Sequence, residues 1–163
     1  MSSPEKPNVI ERFNGENKFL SNFQTSTFFH EGMKYPSVEH AYQAAKCANA
    51  DEHEKVRNAI SASQAKKFGK EAMLRDDWEN VKVPLMKTFL DLKFQNPFLR
   101  HKLIATGNAI LIEGNTWHDT FWGVCNCPKH NGEGQNMLGK LLMTVRDEVI
   151  KTGVQETEAF DTV

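Results

Sequence analysis

A chain of 163 residues, 39% of them hydrophobic, has the material for one cored domain, and two would be cramped. Lysine and arginine number 20 against 21 aspartates and glutamates, so no global positive field recruits a polyanion, which argues against non-specific nucleic-acid binding. No apolar run approaches a membrane span, and the N-terminal MSSPEKPNVI lacks the apolar region of a signal peptide, so the reading is a cytoplasmic protein with no membrane partner.

Residues 1–8 are polar and proline-containing and read as a flexible arm. Val9 to Phe13 is short and partly apolar, an edge strand, and Asn14-Gly15 is a turn. Phe19 to Phe23, FLSNF, follows as an aromatic-flanked loop in which Asn22, taken alone, reads as a turn cap. Thr25 to His30 is β-branched and aromatic, Glu31-Gly32 is a turn, and Met33 to Tyr35 returns as a second strand. This hairpin delivers the chain into Tyr35 to Lys46, YPSVEHAYQAAK, where Ser37 is a good N-cap and no breaker follows, so a helix starts there. At about 100° per residue, Glu39, Tyr42, Gln43 and Lys46 share one face while Ala41, Ala44, Ala45 and Ala48 occupy the other. By spacing alone, such a polar stripe is the solvated side of a helix packed closely through its alanines, with Glu39 where the macrodipole favours a carboxylate.

Asp51 to Ile60 and Ser63 to Gly69 read as scaffold helices, the second ended by its glycine, and Lys66, Lys67 and Lys70 as a solvated face. From Val81 the apolar set Val81, Leu85, Phe89 and Leu92 predicts a helix to Phe94; Pro84 suits only a first turn or a kink, which puts the regular part near Val83. Asn96-Pro97 ends it. Phe98, Leu99, Leu103 and Ile104 make a short helix closed by Gly107, before a strand at Ala109 to Ile112. Asn115 to Gly123, NTWHDTFWG, is an aromatic loop whose two tryptophans are costly to expose, so it either folds under the core or walls a binding site. Pro128 to Gly134 reads as a flexible polar segment, and Leu138, Leu141, Leu142, Val145 and Val149 as the apolar face of a final helix. Residues 153–163 form a flexible tail. The architecture expected is a predominantly helical α+β single domain over 9–152 with a small antiparallel sheet.

Two patterns suggest other chemistry. Gly134 to Lys140 fits part of a phosphate-binding loop, but Leu141 stands where Ser or Thr would hold magnesium, and the apolar period from Leu138 puts Gly139 and Lys140 inside a helix. Cys47, Cys125 and Cys127 cannot all pair, and Cys-Asn-Cys is too tight for an ordinary disulfide. With His118 and His130, the latter two cysteines invite a zinc reading. Their separation matches no familiar finger or ribbon and DTFWG intervenes, so the spacing argues for no metal site.

YPSVEHAYQAAK, together with FLSNF, DTFWG at Asp119 to Gly123 and GQNMLGKLLM at Gly134 to Met143, resembles the NADAR (YbiA-like) family of N-glycosidases, as four ordered blocks across Ile10 to Val149. The resemblance implies hydrolysis of an N-ribosyl bond with no metal or organic cofactor. The implied substrate is a small ribosyl-base phosphate of the early riboflavin pathway or an ADP-ribose conjugate of guanine, with ADP-ribosylated nucleic acid a further candidate partner. That chemistry needs charge support at C1′, a proton for the departing nitrogen, and an activated water or nucleophile. Glu39 is the candidate acid/base, and Asp119 either complements it or caps its own loop. Lys46 is a Schiff-base nucleophile, or else it binds phosphate or pairs with Glu39. Trp78 and Trp122 either stack on the base or pack in the core, and Asn22, Tyr42, Gln43, Gly123 and Asn136 are the further substrate contacts. The expected site lies between the central helix, the FLSNF loop and the FWG loop. Val124 to His130 departs from the family pattern as an insertion where substrate size is set. The alternative is a non-catalytic ADP-ribose or NAD-binding module; Glu39, Lys46 and Asp119 together favour the enzyme, since pure binding does not require that set.

Overall fold

The computed structural model describes residues 5–160, with side chains as far as Gly153, and assigns them to short strands and helices in an α+β order. The chain packs as two compact units, one from the segments up to Leu20 and from Pro97 on, the other Ser21–Asn96. Of the arm and tail expected to be loose, residues 1–4 and 161–163 lie outside the described residues. Among those described, no helix is long and apolar enough to cross a membrane.

Strand β1, Val9–Ile10, belongs to the other unit, and the expected hairpin of the unit Ser21–Asn96 opens with β2, Phe28–His30. Strand β2 pairs antiparallel with β3, Met33–Tyr35, in the register Phe28↔Tyr35. The two-residue turn between them has both φ angles positive, 51° at Glu31 and 77° at Gly32, the twist that matches two paired strands. Phe28, Tyr35 and Phe89 stack behind the hairpin, with ring centroids 5.9–6.3 Å apart. Tyr35 also reaches His53, its Oη 3.1 Å from Nε2.

Helix α1, Val38–Ala45, starts where the cap predicted it. The Ser37 hydroxyl accepts the His40 N–H at 3.2 Å and lies 2.7 Å from His40 Nδ1, while His40 Nε2 is 3.0 Å from the Ala59 carbonyl. The carbonyl can only accept, so Nε2 carries the proton and Nδ1 accepts from the serine. Burial pushes the His40 pKa down, which keeps this tautomer neutral.

Helices α2, Ala50–Arg57, α3, Ala62–Glu71, and α4, Trp78–Lys93, all pack against α1. In a helix packed in this way Glu39 and Gln43 are buried beside Val38, Ala41 and Ala44, while Tyr42 and Lys46 stay partly exposed. The solvated reading of the polar stripe is thereby corrected: helical period identifies a polar face, but three neighbours decide where it points. Two element boundaries also differ from the sequence reading. Helix α4 starts at Trp78, whose ring is buried and anchors the first turn, so Pro84 lies inside the helix. Gly69 does not end α3; it lies within it, at a point where a Cβ would collide with the Gln43 side chain.

In the other unit β1 pairs in parallel with β4, Ile110–Leu111, in the register Val9↔Ile110. A 3-10 helix, Gly15–Leu20, occupies the start of the expected loop and buries Phe19 and Leu20. Helix α5, Pro97–Ala105, puts proline at its first position, and Gly107, at φ 61°, follows its end. Strands β5, Gly114–Asn115, and β6, Val124–Cys125, form a second parallel pair. Helix α6, Met137–Phe160, packs on β4 and α5 through Leu138, Leu142 and Val145, and runs past the point where the loose tail was expected. Arg146, buried on the same face, donates to the Ala109 carbonyl at 2.8 Å and to Thr106 Oγ1 at 3.0 Å.

Candidate active site

The FLSNF segment is tied to the start of α1 by its backbone. The Asn22 carbonyl accepts the Glu39 N–H at 3.0 Å, satisfying one of the orphan donors that a helix N-terminus leaves. The Asn22 amide nitrogen meets Met86 Sδ at 3.6 Å, and its Oδ1 is buried with no hydrogen-bond partner among the described residues. Lys93, almost wholly inaccessible, donates to the Ser21 carbonyl at 2.9 Å and holds the same segment from below.

One turn into α1, Glu39 is only 6% exposed, and its Oε1 accepts from Gln43 Nε2 at 2.8 Å. That leaves Gln43 Oε1 buried without a partner among the described residues, facing Gly69. Lys46, the C-cap of the helix, is half-buried, with Nζ 5.9 Å from the centroid of the Tyr42 ring. Its pKa lies below the ordinary lysine value: burial is the main cause, the charge of Lys66 adds to it, and Glu39 and Cys47 partly offset it. Tyr42 in turn packs on the buried Trp78 ring at 5.1 Å between centroids, tilted by 58°. Six of the predicted residues, Asn22, Glu39, Tyr42, Gln43, Lys46 and Trp78, therefore form one connected set within Ser21–Asn96.

Gly69 is the residue that lets this set close. In a helix interior, Gly→Ala normally gains up to about 1 kcal/mol. Gly69→Ala is expected to lose about 1–3 kcal/mol instead, because the added methyl overpacks against Gln43 and displaces the partner of Glu39. A urea unfolding midpoint at or above that of the unsubstituted chain would refute the close contact.

Asp119, Trp122, Gly123 and Asn136 gather in the other unit, at the junction of DTFWG with α6. Asp119 Oδ1 accepts the backbone N–H groups of Phe121 at 3.1 Å and Trp122 at 2.9 Å, so of its two sequence readings the structure displays the loop cap. The loop pays this forward as a cap for α6: the N–H groups of Gln135, Met137 and Leu138 donate to the carbonyls of Thr120, Phe121 and Trp122. Trp122 is partly buried with its ring edge-on to Phe121, centroids 4.9 Å apart. Gly123 is required by close approach, since a Cβ would strike the Glu113 carbonyl and the Asn115 amide.

Asn136 was expected to contact substrate. Its side chain is instead committed at both ends to backbone, accepting the Glu113 N–H at 3.0 Å and donating to the Leu111 carbonyl at 2.9 Å, from a left-handed φ of 51°. Asn136→Ala is expected to cost about 2 kcal/mol or more, by stranding both groups, and to leave the KM of the folded protein unchanged. An unaltered melting temperature with a raised KM would reinstate the substrate role.

Sequence reasoning missed Lys93, Gly69 and Asn115. The last is buried and bonds to Asp119 through both ends of its amide, donating to the carbonyl at 2.8 Å and accepting the N–H at 3.2 Å. No local pattern marks Lys93, because nothing in a helix period announces which lysine will be enclosed. At the foot of the same loop, His118, Cys125, Cys127 and His130 bring their ligand atoms within 4.8 Å of one another.

Residues 10–150 match the family model of the NADAR domain. The N-glycosidase YbiA of Escherichia coli (strain K12) is 36% identical over 133 residues, which are 80% of this chain and 80% of that protein. A riboflavin biosynthesis protein of Vibrio vulnificus (strain YJ016) is 39% identical over 134 residues, and the chloroplastic riboflavin biosynthesis protein PYRR of Zea mays is 34% identical over 131. The aligned segments span 80% and 72% of this chain but only 35% and 20% of those longer proteins. The NMR structure of the E. coli protein YbiA matches the fold with a TM-score of 0.78 and 30% identity, covering 91% of this chain and 89% of that one.

Proposed function

The chain belongs to the NADAR domain family, and from that membership we propose that it is an N-glycosidase cleaving the C1′–N bond between ribose and an amino group of a base. One observation carries the reading: a single face of α1 holds a buried, hydrogen-bonded carboxylate and a half-buried lysine whose proton is held less tightly than usual. A binding module has no use for a lysine whose pKa is lowered by burial, whereas an amine nucleophile gains from it.

The reaction runs through the sugar in its ring-opened form. A ribosylated amine opens to an imine at C1′, the neutral Lys46 Nζ adds to that carbon, and the base departs with its nitrogen protonated. The ribose remains as a Schiff base on Lys46. Water then adds to C1′, releasing the sugar as its aldehyde and restoring the amine. Glu39 moves the protons in each half: it takes one from the attacking amine, delivers one to the leaving nitrogen, and later activates the water. Tyr42, packed on the buried Trp78 ring, offers the aromatic surface for the base, and Asn22 Oδ1, without a partner among the described residues, offers an acceptor to a ribose hydroxyl.

The substrate classes that fit are ribosylamino-pyrimidine phosphates, in keeping with the names of the riboflavin relatives, and ADP-ribosylated guanine, free or in nucleic acid. Both place the ribose on an amino group able to form the imine. Incubation of the full chain with a panel of ribosylamino-pyrimidine phosphates, NAD, ADP-ribose and ADP-ribosylated DNA tests the reading, with free base and reducing sugar scored by mass spectrometry. Release of base from at least one is expected. Retention of ADP-ribose or NAD with no cleavage of any substrate would replace the enzyme by a binding module.

A further inference from the structure

The loop that follows FWG carries a group of side chains that the proposed reaction does not use. Cys125 lies on β6, and the chain then folds tightly back on it: the Cys125 N–H donates to the Glu133 carbonyl at 2.8 Å and the Gly132 N–H to the Cys125 carbonyl at 2.8 Å. Within that fold, the N–H groups of His130 and Asn131 both donate to the Cys127 carbonyl. Left-handed φ angles at Asn131 and Gly132, 46° and 88°, complete the turn. This segment, read from composition as a flexible one, is a knuckle that presents Cys125, Cys127 and His130 to one point. His118, also left-handed at φ 71°, comes to the same point from the far end of the loop.

The distances discriminate between explanations. His118 Nδ1 is 3.3 Å from His130 Nδ1, and Cys127 Sγ is 3.4 Å and 3.1 Å from these two nitrogens. Protons cannot satisfy this triangle well, because each Nδ1 has either one hydrogen or one lone pair and would have to share it between two partners. A single cation at the centre satisfies all of it. Tetrahedral coordination with metal–sulfur bonds of about 2.3 Å and metal–nitrogen bonds of about 2.0–2.1 Å puts ligand atoms roughly 3.3–3.8 Å apart, close to the three spacings above, and the Cys125 Sγ lies within 4.8 Å of the other ligand atoms. Both cysteines are buried.

We infer that His118, Cys125, Cys127 and His130 form a structural zinc site that closes residues 118–130 into a clasp. Two sulfurs and two imidazoles in tetrahedral reach select zinc over hard cations, and four protein ligands leave no position open for catalysis. Spacing along the chain does not disclose this cluster, because it is the fold that brings the residues on either side of DTFWG together. The inference does not depend on the N-glycosidase reading.

The test uses the full, untagged chain. After exposure to zinc alone and gel filtration, elemental analysis is expected to find about one zinc per chain. After chelation, cobalt(II) should restore a tetrahedral visible spectrum with thiolate-to-metal charge transfer. Cys127→Ser and His130→Ala are expected to lose the bound zinc, and Cys47→Ser to keep it. His118→Ala, which removes only the exposed ligand, should retain the helical circular dichroism of the unsubstituted chain while binding cobalt at least about tenfold more weakly. The site is refuted by a chain that retains no zinc, by undiminished zinc in Cys127→Ser, or by an octahedral cobalt spectrum. An intact mass showing Cys125 and Cys127 oxidised to a disulfide in the isolated protein would also refute it.

Discussion

Lys46→Ala is expected to lower kcat by about 10³-fold or more, since it removes the proposed nucleophile and leaves only the positioning of substrate. Lys46→Arg is expected to fail almost as completely while keeping the positive charge, because a guanidinium stays protonated at any working pH. That pair separates nucleophile from phosphate ligand: a phosphate ligand survives the arginine replacement, and near-normal turnover in Lys46→Arg would end the Schiff-base mechanism. The pH dependence follows from the direction of the shift. Burial lowers the Lys46 pKa, so the neutral amine is populated at lower pH than for an exposed lysine, and each unit of lowering raises its fraction near neutrality about tenfold. The rate should therefore climb with pH through the depressed pKa and then level off.

Stability moves in the same direction. The unfolded chain holds the Lys46 proton more tightly than the folded one, so between the depressed and the ordinary lysine pKa the unfolded state binds more protons and folding gains as pH rises. Lys46→Met, which removes the buried charge, is expected to leave the melting temperature at neutral pH unchanged or raised. Borohydride added during turnover should leave a sugar adduct on Lys46 of the unsubstituted chain.

Glu39→Gln is expected to reduce kcat by about 10²- to 10⁴-fold, the usual range for losing a positioned acid–base group. The replacement is close to isosteric and retains an acceptor for Gln43 Nε2, so unfolding midpoints should stay near those of the unsubstituted chain. A second effect should accompany the loss of rate. Glu39 raises the pKa of Lys46, so its neutralisation should move the limb of the residual pH–rate profile to lower pH. Full turnover with an unshifted profile would remove Glu39 from the mechanism. So would a large loss of stability that accounts for the lost rate.

Much of the scaffold was legible in the chain because it depends on neighbours a few residues apart. Glu31-Gly32 calls for a two-residue turn with positive φ, Ser37 caps α1, and the apolar set from Leu138 gives α6 its buried face; each appears where the pattern places it. The same period removed the false phosphate-binding loop, since Gly139 lies inside α6. Pro84 and Gly69 misled for the complementary reason. Their local preferences are weak against the burial of Trp78 and the close approach of Gln43, interactions with no counterpart in nearby sequence.

The chemistry divides in the same way. Sequence alone established that Glu39, Tyr42, Gln43 and Lys46 share one side of a helix, because 3.6 residues per turn is a property of the backbone itself. Whether that side meets water or protein was decided by α2, α3 and α4, which enclose α1 and draw Glu39 and Lys46 out of solvent. Likewise, four metal-ligating side chains could be counted in the sequence, yet only the folding of residues 118–130 onto themselves brings their donor atoms within 4.8 Å. Period is fixed by local geometry, whereas burial and convergence arise from contacts between segments that the order of residues does not place side by side.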